Sequence, residues 1–150
     1  MERVTRKVQG LTVSDYGVIP VNIEVTIEHG LGIHFIGVPD SYAKEGLLRI
    51  VTALEATGHY CPGRRVIINI SAKWPRDTRS IRWELLETAI TYALACAIED
   101  REPCGEIMCG QINLDGGPTF PIPTRLSTKQ YKLLAASPWF PKIMFGFMLP

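Results

Sequence analysis

Val21, Ile23, Val25 and Ile27 alternate with Asn22, Glu24, Thr26 and Glu28. This period of two predicts a strand over 18–28 with one buried and one wet face. Residues 3–13 mix β-branched and polar positions and predict a strand before it. After the glycine-containing turn His29-Gly30-Leu31-Gly32, the run from Ile33 to Val38 is apolar at nearly every position. That predicts a strand covered on both faces. Leu47, Ile50, Val51 and Leu54 then recur at helical spacing, with Asp40 or Ser41 as the cap and Gly58 as the stop. Val66, Ile68 and Ile70 alternate with Asn69 and Ser71, giving a further strand. A second helix is expected over roughly 80–98, its stripe formed by Ile81, Leu85, Ala89, Tyr92, Ala93 and Cys96. Residues 105–114 read as a strand, Asp115-Gly116-Gly117 as a turn and 120–122 as a short returning strand. Ser127-Thr-Lys-Gln130 is a capping box that opens a third helix. The order β-β-β-α-β-α-β-β-α predicts an α+β domain, a mixed sheet with helices packed on it.

The chain has 150 residues, which suits one domain, expected over 1–136 with an apolar tail at 137–150. Hydrophobic residues make up 46% and charged ones 21%, which excludes an intrinsically disordered chain. Net charge is +1, so no overall basic field points to nucleic acid, although a local patch stays open. Cys61, Cys96, Cys104 and Cys109 include no CxxC pair. They predict free thiols in a reducing cytoplasm, with Cys96 as a buried hydrophobe; a disulfide among Cys61, Cys104 and Cys109 is the alternative. The N-terminus MERVTRKVQG has no apolar core of a signal peptide, and no apolar run is long enough to span a membrane. The expected setting is cytoplasmic, with no membrane partner.

The tail SPWFPKIMFGFMLP is dense in large apolar residues, among them Trp139, Phe140, Phe145 and Phe147, and holds the single charge Lys142. Two readings stand: it docks on its own domain and completes the core, or it is a surface for self-association or a protein partner.

Three short segments stand in a particular order: IGVPD (Ile36–Asp40) with Lys44 and Glu45 after it, PGRRVIINIS (Pro62–Ser71), and GQINLDG (Gly110–Gly116). Together with VNIEVTIEHGLGIHF before them and WELLETAI between them, they resemble the N-terminal domain of magnesium-chelatase-like proteins of the ComM type, over roughly residues 10–122. The resemblance implies the fold shared by the C-terminal peptidase domain of Lon and by domain two of the small-subunit ribosomal protein S-five. Members of that family continue into an ATPase of the AAA+ type. This sequence holds no GxxxxGK[ST] segment to cradle a phosphate, so ATPase activity is not carried over.

Lon peptidases use a Ser–Lys dyad, in which a lysine amine takes the serine proton. The segment similar to the one bearing the Lon serine is PRDTRSIR (75–82), which puts Ser80 at that place. The lysine position falls near Arg125 or Leu126. A guanidinium stays charged and cannot act as the base. Lys129 is offset from the motif. The expectation is therefore no catalytic residue, with Ser80 a helix N-terminal residue; a cryptic serine hydrolase using Ser80 is the alternative from a different class. The acidic segment usual in the ComM-type pattern is also replaced here, by Trp83–Ala89, in which Glu84 keeps an acid.

The densest charge cluster is Lys73, Arg76, Arg79 and Arg82, with Trp74 and Trp83 beside it and Asp77 as the one acid within 73–83. Cations near a helix N-terminus oppose its dipole by about 0.3–1 kcal/mol each. That points to an anionic partner, and basic side chains next to aromatics also suit single-stranded nucleic acid. A solvated loop with local ion pairs is the plain alternative. Glu84 and Glu87 share one helix face and are expected to be exposed partners of nearby arginines. His29, His34 and His59 lie far apart, so no metal site and no cofactor is expected, and His34 is expected to be a hydrogen-bonded core histidine. The sequence thus points to a non-catalytic binding or assembly module, with a nucleic-acid-binding accessory domain as the alternative.

Overall fold

The fold, obtained as a computed structural model, is described for residues 3–60, 63–117 and 126–142. It is α+β. Strands β1 (Val4–Ser14), β2 (Gly17–Glu28), β3 (Ile33–Ile36) and β4 (Arg65–Ala72) form one mixed sheet in the order β1-β2-β4-β3. The β1–β2 and β2–β4 pairs are antiparallel, and β3 runs parallel to β4. The helices are α1 (Asp40–Ala56), α2 (Glu87–Ile98) and α3 (Thr128–Ala135).

The alternation in the sequence sets the register. Val8, Ile23, Val25, Val66, Ile68 and Ile70 all face the core, while Lys7, Gln9, Asn22 and Ser71 face water. Each buried Val or Ile contributes roughly 1.5–3 kcal/mol by leaving water. Against this face lie Ile50, Ala53 and Leu54 of α1 and most of α2. A second, smaller cluster gathers Leu11, Val13, Leu85, Cys109 and Leu134 at the hairpin end of β1.

Five expectations change. The first helix is not capped by Asp40 or Ser41. Pro39 is the N-cap, its backbone extended, and its carbonyl accepts from the N–H of Tyr42 and Ala43 at 3.0 Å each. Asp40 instead stands in the first turn, where its charge favours the dipole. The strand expected over 33–38 stops at Ile36, and its His34 and Ile36 are exposed, because β3 is a sheet edge. Gly37 breaks it: its φ is +96°, and a Cβ there would stand 2.0 Å from the Ile70 carbonyl oxygen. The core histidine is His59, held between Thr57 Oγ1 at 3.1 Å and Glu99 Oε1, rather than His34.

The helix expected from residue 80 begins later. A 3-10 turn spans Trp83–Leu86 and α2 starts at Glu87. The backbone before it is committed to β1: Arg82 N–H donates to the Val13 carbonyl at 3.1 Å, and Thr12 Oγ1 donates to the Arg82 carbonyl. The whole of α2 from Glu87 to Ala97 is buried, so its apolar surface is wider than the stripe read from spacing. Finally, 105–114 is not a strand. Met108 bridges Gly10 of β1 in parallel as an isolated pair, with Gly105 and Gly110 at positive φ on either side. The bridge still places Met108, Cys109 and Ile112 in the core. The expected strand at 120–122 lies outside the described residues.

Cys96, Cys104 and Cys109 are free thiols; Cys96 and Cys109 are buried and Cys104 is exposed, whereas Cys61 lies outside the described residues. Burial pushes the Cys109 thiol up to about 12. No described helix is long and apolar enough to cross a membrane.

Candidate functional site

The β1–β2 hairpin turns through Asp15 and Tyr16, with Gly17 at a φ of +147°. This turn closes over the segment that leaves β4. Tyr16 Oη donates to Asp77 Oδ2 at 3.2 Å, and the Asp15 N–H donates to Ser80 Oγ at 2.9 Å. Between turn and segment opens a groove of about 720 Å³ lined by Tyr16, Pro75, Arg76, Asp77, Thr78 and Arg79.

Charge in the groove is unevenly spent. Arg79 grips Asp77 through Nε at 3.0 Å and Nη2 at 2.9 Å, and its own N–H also donates to Asp77 Oδ1 at 3.0 Å. The side-chain hydrogen bond from Arg79 holds the Asp77 carboxyl well below the usual carboxylate range. Arg76 is exposed and meets no acidic partner among the described residues. Tyr16 is 68% exposed and presents its ring beside these arginines.

The structure divides the sequence-predicted cluster. Arg76 and Arg79 line the groove. Lys73 is exposed but lines a neighbouring hollow with Val18, Asn22 and Ser71. Trp74 is half-buried and packs on Trp83, ring centroids 4.9 Å apart at 52°, both rings lying against the main core. Arg82 turns inward: its Nε donates to Gln130 Oε1 at 2.9 Å. Trp139 and Phe140 are half-buried and pack on the Leu11–Val13–Leu85–Cys109–Leu134 cluster. Phe145 and Phe147 lie outside the described residues.

Two polar nodes escaped the sequence reading. Gln130 of α3 is buried and uses its whole amide. Its Oε1 accepts from Arg82 Nε and from the Ser127 N–H at 3.2 Å, while Nε2 donates to Asp15 Oδ1 at 3.1 Å and to the Ser80 carbonyl at 2.9 Å. It fastens the groove's back wall to α3. The capping box gave its position, but only the fold brings residues 15, 80 and 130 together. The other node is Glu87, expected to be exposed. It is fully buried at the start of α2, where it accepts from Tyr42 Oη at 2.6 Å and from Arg49 Nε and Nη2 at 3.0 and 2.7 Å. Burial raises the Glu87 pKa despite these donors. Long-range partners on α1 explain why helical spacing within α2 misjudged it.

Among the described residues no group of three or more His, Cys, Asp or Glu side chains is placed to hold a metal ion. Ser80 Oγ, the one candidate nucleophile from the sequence, serves as acceptor for the Asp15 amide. Neither the models of known protein families nor the curated proteins match this chain.

Proposed function

We propose that this chain is a non-catalytic binding module that docks an acidic segment of a protein partner in the groove between Tyr16 and residues 75–79. The observation that carries this reading is Arg76. It is an exposed guanidinium without an acidic partner among the described residues, set beside the exposed ring of Tyr16 and the hydroxyl-bearing Thr78. Arginine and tyrosine are the side chains that most often dominate protein–protein binding energy. The asymmetry also favours protein over nucleic acid. A single-stranded binder stacks successive bases on open rings. Here Trp74 and Trp83 are spent on each other and on the core, so neither offers an open ring to a base. The reading agrees with the expectation from the sequence of a binding or assembly module, which resembles the N-terminal domain of magnesium-chelatase-like proteins but holds neither a GxxxxGK[ST] segment nor a lysine at the dyad position. The use of Ser80 Oγ as an acceptor within the turn supports that reading.

Nucleic acid is the second reading, kept because Tyr16 with Arg76 could hold one stacked base and its phosphate. The two separate in one experiment. Anisotropy of a labelled peptide rich in Asp and Glu, and of labelled single-stranded DNA and RNA, is read at about 50 and 200 mM salt. Peptide binding that survives the higher salt and falls about tenfold in Arg76→Ala and in Tyr16→Ala supports the proposal. Steeply salt-dependent binding of nucleic acid alone overturns it. Arg82 is left intact in this test, since its bond to Gln130 makes it part of the scaffold.

A further inference from the structure

β3 ends the sheet, and its outer edge is open among the described residues. The Val66 N–H donates to the Gly32 carbonyl at 2.9 Å, which fixes the alternation of the parallel ladder. His34 and Ile36 therefore turn their peptide groups to β4, and Ile33 and Phe35 turn theirs outward. No hydrogen bond from a described residue reaches those outward groups. Natural sheets usually cover or blunt such an edge. Here it is instead flanked by a groove of about 710 Å³, with Lys44 and Leu47 of α1 on one wall and Arg65 and Ile67 of β4 on the other. Ile36 is 52% exposed at its far end.

We propose that this edge accepts an extended acidic peptide as a fifth strand, a second binding surface distinct from the Tyr16 groove. Edge pairing supplies main-chain hydrogen bonds, and side-chain pockets supply selectivity. Charge decides the occupant. Lys44 and Arg65 stand on opposite walls, and no carboxylate lines the groove. Arg65 shares Glu28 at 3.1 Å, which neutralises it only in part, since its side chain remains 45% exposed. A second copy pairing β3 to β3 would bring the same two cations against these two. A strand alternating apolar and acidic residues lays its apolar side chains on Ile33, Phe35 and Leu47 and turns its carboxylates to the other face, toward Arg65, while Lys44 adds to the positive potential of the groove.

The test uses the full chain and capped peptides of alternating Val and Glu, alternating Val and Lys, and the Val–Glu sequence with a central proline. Amide shifts and hydrogen exchange are followed by NMR. The expected result is saturable binding of the Val–Glu peptide with at least tenfold slower exchange at Ile33 and Phe35. Affinity should drop about tenfold in Lys44→Glu and in Arg65→Glu, and the proline peptide should not bind. Equal binding of the Val–Lys peptide, or shifts that leave Ile33 and Phe35 untouched, would overturn the proposal. So would protection of both amides that grows with protein concentration in the absence of peptide, because it would assign the edge to a second copy.

Discussion

Arg49 Nη2 lies 2.7 Å from Glu87 Oε2, joining the middle of α1 to the first residue of a buried α2. The arginine side chain is 18% exposed and the glutamate is wholly buried. Tyr42 Oη completes the carboxylate's shell, and Glu45 holds the guanidinium from the solvent side at 2.7 Å. One charged pair thus fixes how the two core helices meet.

Removing one member of such a pair leaves the other buried and uncompensated. Arg49→Met should destabilise the fold by about 3 kcal/mol, whereas Glu87→Gln, which keeps the shape and a hydrogen-bonding group, should cost less. Urea midpoints of the two variants measure the difference. Equal losses would mean that a Glu87 carboxylate left without Arg49 carries no extra penalty.

The same carboxylate predicts a pH dependence. Its folded pKa is raised above the ordinary 4.5, chiefly by desolvation, so the folded state holds the proton more tightly than the unfolded chain does. The stabilisation from this group is complete below that ordinary value and is lost as pH rises through the raised one. Glu87→Gln has no proton to lose. The stability difference between wild type and Glu87→Gln should therefore move against the wild type as pH climbs from about 4.5. Parallel curves from denaturant unfolding across that range would refute this.

Gln130 should matter more than the cap it serves. Ser127→Ala removes the acceptor of one N–H at 3.1 Å and should cost about 1 kcal/mol. Gln130→Ala strips partners from Arg82, Asp15 and Ser80 as well, and should cost about 2–3 kcal/mol. Because it fastens the back wall of the Tyr16 groove, peptide affinity should fall with it, while Ser127→Ala leaves affinity within a factor of about two. Thermal unfolding and anisotropy on the same samples check both halves.

Trp139 and Phe140 join the cluster around Leu11 and Leu134, so polar substitution there tests folding before it tests assembly. Trp139→Ser should lower stability by about 1–3 kcal/mol through lost apolar burial. Its molecular mass by light scattering should match the wild type. A changed mass with unchanged stability would give Trp139 back to an interface.

Local alternation made β2 and β4 legible, because Val21, Ile23 and Val25 face one side whatever their partners are, and β-branched composition marked β1. The capping box at Ser127 and Gln130 was legible for the same reason, since its bonds close within four residues. What escaped reading depends on distant pairing. Nothing near Ile36 says that β3 lies at an edge. The burial of Glu87 needs Arg49 and Tyr42 from another helix, and the groove needs Tyr16 beside Asp77, 61 residues away. The basic cluster was visible as composition, but only the fold separates Arg76 from Arg82, turning one to solvent and the other to Gln130.

Asp77 is the acid that holds Arg79 and opposes Arg76, which makes it the most informative residue of the groove. Asp77→Asn keeps the shape and a hydrogen-bonding oxygen while removing the negative charge. Arg79 is then released to a ligand, and the groove changes from two cations and one anion to two cations. Affinity for the Asp- and Glu-rich peptide should rise several-fold, and its salt dependence should steepen as a second cation joins the contact. Loss of affinity instead would mean that Arg79 works only when Asp77 orients it. The tyrosine hydroxyl would also lose its charged acceptor, and Tyr16→Phe controls for that: it should leave peptide binding nearly unchanged if the ring is what the partner meets. An affinity that ignores Asp77→Asn and responds only to Tyr16→Ala would make the groove an apolar site, and the arginines would be mere solvating charge.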